Sequence, residues 1–258
     1  MEGMITLFHA DSLGGPMSEL KNVFEARNPD IKIYLSSGRS TELAGRILRG
    51  DICDIFAPSD PQVVKGLIGK RVNDREAAAW YISFSANELV IITHKGNPLR
   101  INRMSDLIRD DVVMARVSGA SDLGTNRTIE FIQNALTEEG YPDLAQQIIG
   151  RAIQAGTVPE VLQAVQSGKA NAGIVYLSAA VSISNEINIV RFPATVNLSN
   201  KIVNVITIPG TAKNVKAADN FIKLLLSVEG REILERTGQP PIVPPVVEGI
   251  VPFKIPME

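Results

Sequence analysis

Residues 36–47, SSGRSTELAGRI, join two patterns that decide how this chain folds. Just before them, Ile31 to Leu35 alternates as a strand does. Within and beyond them, Leu43, Ala44, Ile47 and Leu48 recur at helical spacing. A loop rich in hydroxyls and glycine that feeds a helix leaves first-turn N–H groups without intrahelical partners. Those donors, the positive end of the helix dipole and the nearby hydroxyls can together hold an anion. The same residues also read as an ordinary N-cap, with Ser40 or Thr41 capping and Glu42 supporting the first turn. The local sequence leaves both readings open, and the weight falls on whether the arrangement recurs.

Working outward, it does. Upstream, Ile5 to His9 reads as a buried strand that breaks at Ala10-Asp11-Ser12-Leu13-Gly14-Gly15-Pro16, before a helix with Met17, Leu20, Val23 and Phe24 on one face. Downstream, Asp54 to Ala57 reads as a third strand, followed by a helix marked by Val63, Val64, Leu67 and Ile68. Glu88 to Thr93 (ELVIIT) is a strong strand, and the alternation then restarts. Val112 to Val117 leads through residues 118–125 into a helix with Ile129, Ile132, Ala135 and Leu136. Ala155-Gly156-Thr157-Val158-Pro159 enters a helix with Val161, Leu162 and Val165, the proline falling in the first turn, where no N–H is needed. Ala172 to Tyr176, Ile187 to Phe192 and Val203 to Ile208 read as strands, and Ala217 to Leu226 and Gly230 to Arg236 as closing helices. The proline-rich tail from Gly238 is expected on the surface.

Strand–helix alternation with short polar connections predicts an α/β fold with mostly parallel sheets flanked by helices. Two rounds of it predict two lobes, residues 1–86 with 196–258 and residues 87–195. In open parallel sheets ligands sit beyond the carboxyl ends of the strands. Four loops in such positions carry hydroxyls or small residues ahead of a helix, around Ser12, Ser40, Asp122 to Thr125, and Thr157-Val158. Two belong to each lobe, so the pattern predicts a cleft lined by helix N-termini from both sides.

Composition removes several function classes. The chain has 258 residues, 45% hydrophobic and 21% charged, and a net charge of −2, which lacks the basic footprint of a nucleic-acid binder. Cys53 stands alone, so there is neither a disulfide framework nor a cysteine cluster for a metal. No run approaches the ~18 apolar residues of a membrane span, and Met1-Glu2-Gly3-Met4 does not open a signal peptide. The sequence therefore reads either as cytoplasmic or as beginning after a removed leader. The two histidines, His9 and His94, have no metal-ligand spacing. No GxSxG accompanies any serine, and Gly119 to Gly124 lacks the Lys-Ser/Thr of a phosphate loop. Asp110-Asp111 and Glu138-Glu139 read as solvated faces, and His9 as a satisfied structural histidine. The chain is read as a binding protein rather than an enzyme.

Neutral donors converging on one point suit a fully ionised oxyanion that must be held without reaction. Hydrogen bonds to a charged group contribute about 1.5–3 kcal/mol each, and a helix terminus about 0.3–1, up to ~2 when partly buried. Donor-only ligation also selects against protonated anions, whose own hydroxyl would need an acceptor. A carboxylate such as Asp122 aimed into the site would repel a dianion or accept its proton.

At this point the residues resemble a known family, the periplasmic molybdate-binding proteins of ABC importers, which are two-lobed type II solute-binding proteins. The likeness spans nearly the whole chain. It is carried by LFHADSL (residues 7–13), SSGRSTELAGRI (36–47), GDICDIFAPSD (50–60), ELVIITHKGNP (88–98) and GIVYLSAAV (173–181), in that order and spacing. The resemblance implies that Ser12 and Ser40 donate to the oxyanion from the first lobe and the Tyr176 phenol from the second. The backbone N–H groups of Leu123 and Val158 would complete the shell, with Asp122, Arg39 and Thr157 around it. His9-Ala10-Asp11 replaces the small residues usual before the serine, and Val175 stands where one branch of the family carries a ligating glutamate. Four-coordinate binding is therefore expected.

By the same resemblance the ligand is molybdate or tungstate, no separate cofactor or metal is needed, and the partner is a membrane ABC permease. The expected setting is periplasmic and the expected state a monomer. Two other readings stay open on the residues: a cytoplasmic anion-sensing regulatory module, and a binder of another tetrahedral oxyanion such as sulfate.

Overall fold

The computed structural model describes residues 3–119 and 123–255. In chain order the elements are β1 (Met4–Ala10), α1 (Gly14–Arg27), β2 (Lys32–Gly38), α2 (Ser40–Leu48), β3 (Ile55–Ala57), α3 (Pro61–Lys65), β4 (Arg71–Val72), β5 (Arg75–Glu76), β6 (Trp80–Ala86), β7 (Leu89–His94), β8 (Met114–Val117), α4 (Leu123–Glu138), α5 (Ala145–Arg151), β9 (Ile153–Ala155), α6 (Val158–Gln166), β10 (Ala172–Tyr176), α7 (Leu177–Val181), β11 (Ile187–Val190), β12 (Val203–Ile206), α8 (Val215–Leu226), α9 (Val228–Arg236) and β13 (Pro241–Gly249). Short 3-10 turns, among them Asp11–Leu13 between β1 and α1, complete the chain. Two units share these elements, Met1–Ala86 with Ile202–Glu258, and Asn87–Lys201.

In the first unit β2-β1-β3 are parallel and β12-β6-β13 antiparallel. Reciprocal hydrogen bonds of 2.9 Å between Phe56 and Thr207 join the two sets. Period-two alternation sorts the core. Ile5, Leu7, Ile55, Ala57, Trp80, Ile82 and Phe84 pack with α1, α8 and α9 residues such as Phe24, Phe221 and Leu225. Phe8, Phe56 and Tyr81 face Leu43 and Ile47 of α2 and Val64 of α3. Both faces are thus covered, which is why the strands read as near-continuous apolar runs. A buried carboxylate ties the layers: Asp54 accepts the N–H groups of Thr6, Lys213 and Asn214 at 2.7–2.8 Å.

The second unit is a five-stranded sheet ordered β11-β7-β10-β8-β9. Strands β10, β8 and β9 run parallel, while β7 lies antiparallel to β10 and β11. One face packs on α6 through Ala115, Val117, Val90, Ile92 and Val161. Gly173 lets α6 approach, since a Cβ there would meet Val161 Cγ1 at 2.8 Å.

The expected α/β layering is present, with parallel-rich sheets flanked by helices, and the differences are instructive. The chain passes from the first unit to the second between Ala86 and Asn87, and the residues ahead of that point, Trp80–Ala86, form a strand that pairs antiparallel with both β12 and β13. Strand β2 runs on through Ser36 and Ser37 to Gly38, which pair with Phe8, His9 and Ala10, so these serines are strand rather than loop. Strand β9 has three residues, too few to show a period. The second unit keeps residues 196–201, which the sequence had assigned to the first. Asn197 donates to the buried Glu88 carboxylate at 2.8 Å and its carbonyl accepts the Leu89 N–H, while Lys201 pairs with Glu130. The tail lies largely at the surface as expected, but as an ordered strand. Strand β13 is an exposed edge partner of β6, its register shifting between Pro241 and Val246 across Pro244-Pro245. Prolines lack the ladder N–H and are tolerated at an edge. Beyond it, Val251, Phe253 and Ile255 pack on the core, Phe253 edge-on to Trp80 at 5.6 Å.

Candidate functional site: two sets of anion donors

In the first unit the register sets β1, β2 and β3 to end at one edge, with Ala10 opposite Gly38 and His9 opposite Ala57. The segments that follow carry Ser12 in a turn, Ser40 at the start of α2 and Ser59 in a loop. Helix α2 enters directly after β2. Its N-cap is Arg39, extended at φ −65° and ψ 131°, and no side chain caps the helix. The capping reading of Ser40 and Thr41 is thereby corrected: Ser40 is the first helical residue and Thr41 the second, so neither stands where a cap can fold back. Elsewhere Asp60, Thr157 and Ser227 cap α3, α6 and α9, while α1, α5, α7 and α8 lack a side-chain cap as α2 does; what sets α2 apart is the strand edge it leaves from and the hydroxyl it carries there. The Ser40 hydroxyl accepts the Ser59 N–H at 3.3 Å. A hydroxyl that accepts there keeps its own proton for another acceptor.

Two anchors hold this edge. Arg46 of α2 lies 4.1 Å over the Phe8 ring, donates to Ser36 Oγ at 2.9 Å and pairs with Asp51 at 2.8 Å. Gln239, fully buried, donates to the Ser12 carbonyl at 2.7 Å and accepts from Asn204, which also donates to Ser85. This second chain fixes the Ser12 turn from β6, β12 and the C-terminal segment. Neither Gln239 nor the Ser59 loop was singled out in the sequence. The third strand–helix junction of the unit was the available signal for Ser59. His9 is 3% exposed and its Nδ1 sits 2.9 Å from the Ala10 carbonyl, so Nδ1 carries the proton. Burial lowers its pKa, which keeps it neutral and structural. Arg39 faces solvent, 4.0 Å from Glu42.

In the second unit β8, β9 and β10 likewise end together, with Arg116 opposite both Gln154 and Ile174. Beyond them stand the N-terminus of α4 at Leu123, that of α6 at Val158, and Tyr176. Thr157 caps α6 by accepting the Glu160 N–H at 3.4 Å, and Glu160 accepts the Gly156 N–H at 2.8 Å. Pro159 has no N–H, so Val158 carries the first-turn donor that these contacts leave over. Tyr176 ends β10, half-buried, and its phenol has no hydrogen-bond partner among the described residues. Thr125 lies inside α4 rather than capping it, and its hydroxyl accepts the Gly119 N–H at 2.9 Å. Asp122 falls outside the described residues.

The structure therefore gathers Ser12 with Ser40 at one strand edge, and Leu123 with Val158 and Tyr176 at another. Every one of these donors is uncharged. Among the described residues no group of three His, Cys, Asp or Glu side chains could hold a metal ion, and no helix is long and apolar enough to cross a membrane.

Comparison with known proteins bears on this geometry. The model of a family described as bacterial extracellular solute-binding protein matches residues 5–239. The molybdate-binding protein ModA of Mycobacterium tuberculosis is 28% identical over 236 residues, which is 91% of this chain and 83% of that one. Among solved structures, the substrate-binding domain of a putative molybdenum ABC transporter from Clostridium difficile aligns with a TM-score of 0.75 at 26% identity, covering 93% of this chain and 99% of that one. The periplasmic molybdate-binding protein of Azotobacter vinelandii aligns with a TM-score of 0.67 at 18% identity, covering 91% and 98%, and shares the fold.

Proposed function

Because the chain belongs to the bacterial extracellular solute-binding protein family, we propose that it captures molybdate or tungstate outside the cytoplasm and delivers it to an ABC permease. The observation that carries the reading is the Ser40 hydroxyl at the first residue of α2, which already accepts the Ser59 N–H and stands at the strand edge it shares with Ser12. That end of the first unit can give several protons to a ligand and takes none back. In the second unit Tyr176, Val158 and Leu123 offer the same chemistry. A tetrahedral dianion with four bare oxygens matches such a set, whereas a protonated oxyanion would bring a hydroxyl with nothing to accept it.

Support for the ligand comes from the relatives. One bears the name of a molybdate-binding protein, and one solved neighbour above 25% identity belongs to a putative molybdenum ABC transporter. Five donors at about 1.5–3 kcal/mol each, less association and ordering costs, reach the micromolar to nanomolar range. Donors from both units serve one anion in this reading. A ligand can shift an equilibrium between conformations only through contacts that differ between them.

The test is competition calorimetry with molybdate, tungstate and sulfate on the wild-type protein. Micromolar or tighter binding of molybdate and tungstate, with sulfate at least tenfold weaker, is the expected result. Equal affinity for all three would move the assignment to a general tetrahedral dianion. No heat with any of them would overturn the reading.

A further inference from the structure

Arg116 is an anomaly in the second unit. It is 5% exposed on β8, and its Nε makes no hydrogen bond. Its Nη1 donates to the Val117 carbonyl at 3.2 Å and its Nη2 to the Ile149 carbonyl of α5 at 3.4 Å, both long contacts to neutral groups. Among the described residues no carboxylate offsets it: burial pushes its pKa down, with no charged neighbour contributing. Guanidinium keeps its proton even so. A buried cation without a counterion is costly, and apolar residues of similar volume often serve stability better. Strand alternation places its side chain on the face away from Ala115 and Val117, which pack on α6.

Its place in the strand gives the charge a use. Arg116 pairs with Ile174 of β10 and Gln154 of β9. Tyr176 lies two residues beyond Ile174, and Thr157 three beyond Gln154. At ~3.3 Å per residue the Arg116 backbone stands roughly 7 Å short of Tyr176 along the sheet. The interaction of charges falls as the inverse of distance, and a protein interior screens it less than water does. We infer that Arg116 is a buried counter-charge for the bound dianion, acting across the end of the sheet without touching it and favouring doubly charged ligands. The uncharged donors then set geometry, and the guanidinium supplies the net positive charge that they lack. This rests on the oxyanion-carrier reading above.

The two roles open to Arg116 give opposite signs. If it merely braces α5 and the end of β8, Arg116→Met lowers the thermal midpoint of the ligand-free protein and leaves tungstate affinity unchanged. If it is a counter-charge, Arg116→Met leaves that midpoint equal or higher, because an uncompensated buried charge is gone, and tungstate affinity falls roughly tenfold or more. Arg116→Lys, which keeps the charge and loses the planar fork, should then stay within about threefold of wild type. The measurements are tungstate calorimetry and ligand-free thermal unfolding on wild type and both variants. Arg116→Met within twofold of wild-type affinity overturns the inference while the carrier reading stands. So does a loss that Arg116→Lys shares in full. A wild-type protein silent to tungstate overturns the carrier reading, and this inference with it.

Discussion

Ser40 shows how much of this site is settled at a single side chain. Its hydroxyl accepts one backbone N–H from the neighbouring loop at 3.3 Å, which leaves its proton for a ligand. Tyr176 reaches the same condition differently, half-buried at the end of β10 with no partner for its phenol among the described residues. A polar hydrogen without an acceptor is an incomplete contact that a bound anion would complete. Ser40→Ala and Tyr176→Phe should each weaken molybdate binding by roughly ten- to a hundredfold, the range of one charge-assisted hydrogen bond. Thermal midpoints should move little, since neither side chain braces the core. Calorimetry paired with unfolding scans checks both. A large fall in the midpoint would make these residues structural.

At the scale of elements, the site is set by what ends where. Gly173 sits in β10 beneath α6, the helix whose first turn carries the Val158 donor. An added methyl would fall 2.8 Å from Val161 Cγ1 and 3.2 Å from Ile92 Cγ1 and Val165 Cγ2, all on stiff β-branched side chains. Gly173→Ala should therefore push α6 off the sheet at a cost of about 1–3 kcal/mol, with weaker anion binding from the displaced helix end. Urea unfolding and calorimetry on one preparation measure the two effects. The C-terminal strand matters in the same way for the other unit. It pairs with β6, and Gln239 just ahead of it holds the Ser12 carbonyl. Gln239→Leu should leave the Asn204 amide short of an acceptor and loosen the Ser12 turn, costing about 1–3 kcal/mol of stability. The same urea titration reads it, and an unchanged midpoint would show that the amide pair is dispensable.

For the molecule as a whole, the proposed reading draws donors from each unit and so expects binding to be felt in both. Hydrogen exchange with saturating tungstate should slow at the β2–α2 junction and at the β9–α6 junction together. Ligand at a hundred times its dissociation constant should stabilise the folded chain by about 2.7 kcal/mol. Protection confined to one unit would mean that the other contributes nothing to affinity.

The alternation of strands and helices, the two rounds of it, and the serine-bearing turn after β1 could all be read along the chain. Each rests on contacts between near neighbours in sequence, where residue spacing and face are the same thing. Ser40 could be picked out that way, but whether it capped its helix or offered a donor could not. That depended on Ser59, nineteen residues on, arriving beside it. Strand β6 escaped the reading because Ser83 and Ser85 interrupt its apolar run, and the burial of the Ser85 hydroxyl is explained by Asn204 across the sheet. Gln239 reaches the Ser12 turn across 227 residues, and the isolation of the Arg116 charge among the described residues shows only once the Ile149 carbonyl of α5 arrives beside it. Periodicity records which side of an element is buried. Which distant polar group it is buried against is decided by the folded chain alone, because that pairing is set by register and packing rather than by anything local to either residue.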